Sequence, residues 1–98
     1  MSITASKIPD ETRIAVLSAY NGYCGAFECY DKATAIHHRI SNSKANLRRF
    51  PLFLNSPINL IPICTKHHLD GRTLKRLTFT MKQADMMEEW LQNLKSKV

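Results

Sequence analysis

All seven cysteine and histidine residues of this chain lie in two short stretches, residues 24–38 and 64–68. They are, in order, Cys24, Cys29, His37, His38, Cys64, His67 and His68. Thiolates and imidazoles are the ligands that zinc and other borderline metal ions prefer. Three cysteines cannot all pair with one another, so a disulfide framework explains the pattern poorly. The two stretches together offer enough ligands for two metal sites.

Four of these residues have the spacing of a closed, structural zinc site. Cys24 and Cys29 form one pair, and Cys64 and His67 form a second pair about 35 residues further on. Tetrahedral zinc sites commonly take two ligands from each of two separate loops. The alternative is that the cysteines are buried without a metal ion. We expect structural Zn²⁺ here, tying the end of a first helix to the start of a short later helix.

That assignment leaves His37, His38 and His68, which suit a different kind of chemistry. Neutral imidazoles can hold a divalent ion, and another imidazole with a pKa near neutrality can take a proton from water. This is the outline of phosphodiester hydrolysis. Because adjacent side chains on a strand point to opposite faces, His37 and His38 can serve one site only if the strand twists or ends there.

The positive charge of the chain is concentrated around the histidine clusters. The net charge is +6, and residues 36–82 hold nine basic residues and one acidic residue. Such a basic field is typical of proteins that bind a polyanion such as nucleic acid. The alternative is an ordinary solvated basic face.

The local pattern predicts an α+β fold in which helices flank two strands. The predicted elements are a helix over residues 9–21, strands over 32–40 and 60–64, a short helix with Thr65 as its N-cap that Gly71 ends, an extended stretch over 73–79 and a helix over 81–95. Residues 1–8 are predicted to lack regular structure, and residues 50–54 to form a loop packed over the core. Pro62 favours an edge position for the second strand.

Capping and periodicity support the two outer helices. Pro9 suits a first helical position and is followed by two acidic residues, and Thr80 with Gln83 matches a capping box. Apolar residues recur at helical spacing in both segments. In the first they are Ile14, Val16, Leu17 and Tyr20, and in the second Met81, Ala84, Met87, Trp90, Leu91 and Leu94.

A chain of 98 residues is long enough for one domain with a small core. No apolar run approaches the roughly 20 residues that span a bilayer, so we expect no membrane partner. The N-terminus has no basic segment followed by an apolar stretch. We therefore expect a soluble, cytoplasmic protein, and the reducing cytoplasm also suits metal-binding thiols.

The residues resemble the HNH endonucleases, a family with a ββα-metal (His-Me finger) core. The resemblance covers about residues 20–72. It rests on His37-His38, then Asn59-Leu60-Ile61-Pro62-Ile63-Cys64, then His67-His68. Family members with a zinc-ribbon cage commonly show a cysteine pair, then Asp-His or His-His, then Asn-Leu-x-x-x-Cys-x-x-Cys-His. Here His67 stands where the family usually has cysteine, and the first cysteine pair is wider than usual.

The resemblance implies a single HNH nuclease domain over residues 1–98, with its core at about 30–72, that cuts DNA by metal-dependent hydrolysis. His38 would be the general base, while His37 and His68 would ligate a catalytic divalent ion, Mg²⁺ or else Mn²⁺ or Ni²⁺. Asn59 would brace the loop between the strands and help to orient His38. Asn46 and Asn55 compete for that role, but Asn59 has the family's spacing. The family's structural zinc would fall on Cys24, Cys29, Cys64 and His67.

Double-stranded DNA is the expected partner, and five basic residues are the expected contacts. They are Arg39, Lys44, Arg48, Arg49 and Arg72. The chain is similar in size and charge to free-standing HNH proteins of phages and mobile elements, so a homodimer or a phage-type protein partner stays open. Two alternatives also stay open. One is a zinc-ribbon DNA-binding or adaptor module without catalysis, and the other is a nuclease that acts on RNA or only within a larger phage complex.

Overall fold

A computed structural model describes residues 7–96 of the chain, so most of the segment predicted over residues 1–8 lies outside it. The described part folds as a small mixture of helices and one two-stranded antiparallel sheet, with one short 3₁₀ turn at Pro57–Asn59. In chain order the elements are α1 Asp10–Ala19, β1 Ala35–His38, α2 Lys44–Arg49, β2 Leu60–Ile63, α3 Thr65–His68, α4 Gly71–Leu77 and α5 Met81–Ser96. The predicted order of strand, long connection, strand and short helix is confirmed.

The register of the sheet decides which side chains share a face. β1 and β2 are antiparallel, with Ile36 opposite Pro62 and His38 opposite Leu60. Since directly opposed residues lie on the same face, these four side chains belong to one side of the sheet. Leu60 packs there in a cluster that includes Val16 of α1. In a two-stranded sheet each strand has one edge that faces no other strand. Pro62, which has no N–H to donate, therefore removes no hydrogen bond between β1 and β2.

The N-terminal helix α1 begins after Pro9 and ends where the backbone turns left-handed. Gly22 has φ of +78° and donates its N–H to Leu17 O at 2.9 Å, which closes the helix end. Val16 is buried together with Ile8. The predicted apolar stripe is therefore narrower than expected, since Ile14 is 64% exposed.

The long connection between the strands carries the main core. Its fully buried residues are Ile40, Phe50, Phe53 and Leu54, and they pack against Ala84 of α5. Helix α2 lies within this connection and begins at Ser43, whose side chain accepts the N–H of Asn46. The prediction that residues 50–54 form a loop packed over the core is confirmed.

Residues 65–79 differ from the sequence prediction in three respects. Cys64, not Thr65, is the N-cap of α3, and α3 is a single turn that ends before Gly71. Gly71 begins α4 instead of ending α3, and the stretch predicted to be extended is largely helical. The cause is Asp70, whose carboxylate accepts the N–H of Arg72 at 3.1 Å and so starts a new helix.

The C-terminal helix α5 is confirmed, and so is its capping box: Gln83 donates its N–H to Thr80 Oγ1, and Thr80 donates its N–H to Gln83 Oε1. The predicted apolar stripe is only partly buried. Ala84, Met87 and Leu91 contact the core, whereas Met81, Trp90 and Leu94 are exposed. Among residues 7–96, no helix has the length and apolar character needed to cross a membrane.

A buried carboxylate joins α5 to the core connection. Glu88 is 8% exposed, and its Oε1 accepts the backbone N–H of Leu52 at 2.8 Å and of Phe53 at 3.0 Å. Its Oε2 accepts the side-chain amide of Gln92. The Glu88 side chain therefore accepts hydrogen bonds from two backbone N–H groups that have no partner within a helix or strand.

We expect Glu88→Ala to lower the free energy of unfolding by about 2 kcal/mol, because it leaves the two backbone donors without a partner. Glu88→Gln keeps one acceptor oxygen, so its free energy of unfolding should lie between those of the parent protein and the Glu88→Ala variant. Urea unfolding followed by circular dichroism measures both. The matched control is Glu89→Ala, an exposed neighbour whose loss should cost less than about 0.5 kcal/mol. Equal unfolding midpoints for the Glu88→Ala and Glu89→Ala variants would show that the contact adds nothing.

Candidate functional site

Four metal-binding side chains from separate elements converge on one point, and we call this group the cage. The cage consists of Cys24, Cys29, Cys64 and His67, whose ligand atoms all lie within 4.8 Å of one another. Two of them come from the loop after α1, one from the end of β2 and one from α3. This Cys₃His cluster can bind a structural metal ion, as the sequence spacing predicts.

The distances within the cage fit a tetrahedral zinc ion. Around such an ion two sulfur atoms lie about 3.8 Å apart, and a sulfur and a nitrogen about 3.6 Å apart. Cys29 Sγ lies 3.9 Å from Cys64 Sγ, and His67 Nδ1 lies 3.3 Å from Cys64 Sγ and 3.6 Å from Cys24 Sγ. A disulfide would need the sulfur atoms at about 2.05 Å. The donor set and its spacing therefore suit a metal ion and not a disulfide.

Backbone contacts hold the first ligand pair against β2. Cys24 donates its N–H to Asp31 O at 2.8 Å, and Gly25 donates its N–H to Pro62 O at 2.8 Å. A β-carbon on Gly25 would lie 2.5 Å from Ile61 Cγ1, so only glycine allows the loop to approach β2 this closely. This close approach brings the thiols to the end of the strand from which Cys64 emerges.

The thiols of the cage differ in acidity. The backbone hydrogen bond from His67, together with the side chains of the other three ligands, outweighs burial and lowers the pKa of Cys64 to about 7. A backbone hydrogen bond from Asp31 lowers the pKa of Cys29, but burial and the two neighbouring thiols outweigh it and raise that pKa. Since zinc binds thiolates, Cys64 is more easily prepared for the ion near neutral pH than Cys29.

Two of the remaining histidines lie close to one another beside the cage. The ring centres of His37, on β1, and His68, on α3, are 6.5 Å apart and tilted by 58°. Burial, with the nearby basic side chains and above all His68, lowers the pKa of His37. Its imidazole is therefore neutral at pH 7, which is the form that binds a metal ion.

The third histidine points elsewhere. His38 is the last residue of β1 and pairs with Leu60, so the register places it on the other face from His37. Its Nε2 lies 2.9 Å from Asn55 Oδ1. Within residues 7–96 the cage is the one group of three or more such ligands within 4.8 Å, so these histidines do not form a second.

Asn59 is fully buried and braces the connection between the strands, while its family role stays a prediction. Its Oδ1 accepts the N–H of Ile40 at 2.8 Å, and its Nδ2 donates to Leu54 O at 2.7 Å. It thereby joins the two ends of the connection between the strands. Its link to His38 is indirect, through Ile40 two residues later. The direct partner of His38 is Asn55, and the spacing along the chain carried no sign of that contact.

The five basic residues expected at DNA fall into two groups. Arg39 is half-buried, donates Nε–H to Leu77 O at 2.6 Å and lies over the ring of Phe79. Arg49 makes a two-pronged pair with Asp85. Both therefore have structural partners, and their contact with DNA stays a prediction. The other three are exposed: Lys44, Arg48 and Arg72.

Comparisons with known proteins leave the family open. Family models, curated proteins and solved structures give no match to this chain.

We expect the purified protein to hold about one zinc ion per chain and His67→Ala to lose it, because three thiols alone leave a tetrahedral site open. Loss of the ion should also destabilise the fold, since metal binding and folding are coupled in small domains. Elemental analysis and thermal unfolding measure the two effects.

The neighbouring residue supplies the matched control. His68→Ala removes an exposed imidazole from the same helical turn and should leave the zinc content unchanged. His67→Cys keeps four soft ligands and should retain zinc as well. Equal zinc retention by the His67→Ala and His68→Ala variants would contradict the assignment of the cage.

Proposed function

We propose that this chain is a metal-dependent endonuclease of the HNH type that hydrolyses phosphodiester bonds in DNA. The observation that carries the proposal is the pair His37 and His68, which lies on β1 and α3 beside a complete cage to which neither belongs. A purely structural zinc module has no need of a second pair of imidazoles at this point. The order of two antiparallel strands followed by a helical turn, and the buried brace of Asn59, agree with the same reading.

The pair would hold a divalent ion only after its two rings move closer together. With a metal–nitrogen bond of about 2.1 Å, two imidazoles on one ion have ring centres about 5.3 Å apart at the tetrahedral angle and at most about 6.5 Å apart when they lie opposite each other. From the observed 6.5 Å, a tetrahedral site therefore requires side-chain rotations that bring the rings about 1 Å closer. A bound ion would stabilise negative charge on the scissile phosphate, with water and phosphate oxygens as its further ligands. Two imidazoles without a carboxylate favour Mn²⁺ or Ni²⁺ over Mg²⁺.

His38 is the proposed general base, and Asn55 fixes which of its nitrogens is basic. An amide oxygen only accepts hydrogen bonds, so the contact of Asn55 Oδ1 with Nε2 places the proton of the neutral ring on Nε2. Nδ1 is then the nitrogen that takes a proton from the attacking water. His38 lies on the opposite face of the sheet from His37, so the end of β1 would have to turn before this nitrogen faces a phosphate held by His37 and His68.

A zinc-stabilised DNA-binding module without catalysis is the second candidate. It is favoured by one specific observation: the cage is complete, whereas His37, His38 and His68 do not form a second cluster among residues 7–96. Such a module would bind DNA, hold zinc and cut nothing.

We expect the purified protein to nick or linearise supercoiled plasmid when a divalent ion is added, with Mn²⁺ or Ni²⁺ more effective than Mg²⁺. His38→Ala should slow cutting by about 100-fold or more at every metal concentration, because the proton acceptor is gone. His37→Ala and His68→Ala should raise the metal concentration required. Gel analysis of plasmid forms over a metal titration separates the two effects, with Glu89→Ala as the surface control.

Zinc content is measured on the same samples, so that lost activity is not confused with a lost cage. DNA binding and retained zinc without cutting under any metal would favour the non-catalytic module. Cutting by the His38→Ala variant at the parental rate would show that another group is the base.

We further expect Asn55 to act as a positioning residue through His38. Asn55→Ala should slow cutting by about tenfold, because the ring loses the partner that sets its tautomer. Asn55→Asp keeps an acceptor oxygen at this position and should therefore retain more of the cutting rate than Asn55→Ala. An equal loss of rate in the two variants would limit Asn55 to a structural role.

A further inference from the structure

Helix α4 divides its side chains sharply between core and solvent. Leu74 and Leu77 pack against the buried cluster that contains the cage cysteines. Arg72, Lys75 and Arg76 are exposed. Positions three and four apart lie on the same side of a helix, so these three cations form one outward face. We call Arg72, Lys75 and Arg76 the α4 basic face.

The charges of this face are not balanced within the described part of the protein. Among residues 7–96 the one ion pair joins Arg49 to Asp85. Like charges three and four residues apart repel one another and weaken a helix. The nearest acidic group, Asp70, accepts hydrogen bonds from the Arg72 N–H and the Thr73 hydroxyl as the helix cap. A face of this kind gains stability when a polyanion binds it.

The helix is held firmly to the elements that carry the histidines. α4 packs on α3, and its last turn is fixed by Arg39 of the connection after β1, whose Nε–H donates to Leu77 O. Phe79 then donates its N–H back to Arg39 O at 3.2 Å. The α4 basic face therefore keeps a constant position relative to His68, which lies four residues before Arg72.

We propose that the α4 basic face binds the phosphate backbone of the duplex DNA that the histidine site cuts. Arg72 and Arg76 are separated by about 6 Å along the helix axis, while the charges of one DNA strand lie about 3.4 Å apart along its axis. Three flexible cationic side chains can thus contact two or three neighbouring phosphates. Such contacts set the register of the duplex and carry no sequence preference.

This inference rests on the proposed function, because it names how the substrate of the same site is held. It adds Lys75 and Arg76 to the expected DNA contacts and places Arg72 with them on one exposed face of α4. Both added residues belong to a helix that the sequence pattern did not predict. Sequence specificity would then have to come from other parts of the protein or from a partner.

The experiment measures duplex binding as a function of salt. A fluorescent 20-base-pair duplex is titrated with protein by anisotropy at several NaCl concentrations, without added divalent ion so that no cutting occurs. The test variant is Arg72→Ala/Lys75→Ala/Arg76→Ala. The matched control is Lys82→Ala/Lys95→Ala, which removes two exposed cations from α5. Zinc content and circular dichroism establish that both variants are folded.

The slope of log K against log salt should be less steep by about 2 to 3 in the test variant, because each lost phosphate contact contributes about 0.9. The control should keep the parental slope. An unchanged slope in the test variant, an equal change in the control, or no binding of duplex DNA by the parent protein would overturn the proposal. Preference for single-stranded RNA over the duplex would overturn it as well.

Cleavage on the same variants separates this inference from the proposed function. If the parent binds with the expected slope but cuts under no metal ion, the α4 basic face stands and the nuclease proposal fails. If the parent cuts and the test variant binds and cuts as well as the parent, the nuclease proposal stands and the α4 basic face fails.

Discussion

The convergence of four ligand atoms at the cage is the constraint on which the rest of the site depends. It joins the loop after α1, the end of β2 and the single turn of α3. A four-residue helix is not stable by itself in water, because starting a helix costs more free energy than the hydrogen bonds of one turn provide. An ion bound at the cage would therefore also fix the placement of His68, through its neighbour His67.

Two buried polar side chains complete the scaffold from the other side. The connection between the strands is long and irregular, and much of its backbone has no partner in a helix or strand. Asn59 joins its two ends, and Glu88 reaches from α5 to its middle. A buried backbone group without a partner is costly, so these contacts specify one conformation of a segment that propensity alone would leave undecided.

Short sequence patterns predict the cage and much of the fold. The cage follows from the spacing of Cys24, Cys29, Cys64 and His67, the start of α5 follows from its capping box, and α1 begins directly after Pro9. Helix α4 was not predicted, because basic and apolar residues alternate over Thr73–Phe79 and this pattern suggested an extended stretch. The overlooked signals were Asp70, which caps the helix, and the helical spacing of Leu74 and Leu77. The partner of His38 is a tertiary contact, which no local pattern encodes. The structural engagement of Arg39 and Arg49 likewise depends on Phe79 and Asp85, each more than 30 residues away.

The immediate succession of His67 and His68 has a consequence for how the protein matures. Both imidazoles belong to the same turn of α3, yet one faces the cage and the other faces His37. An ion bound at the cage would fix that turn, and with it the position of His68 relative to His37. Under the proposed function the cage would therefore have to load before a second ion could use both His37 and His68, and a shortage of the first ion would leave the proposed second site incomplete.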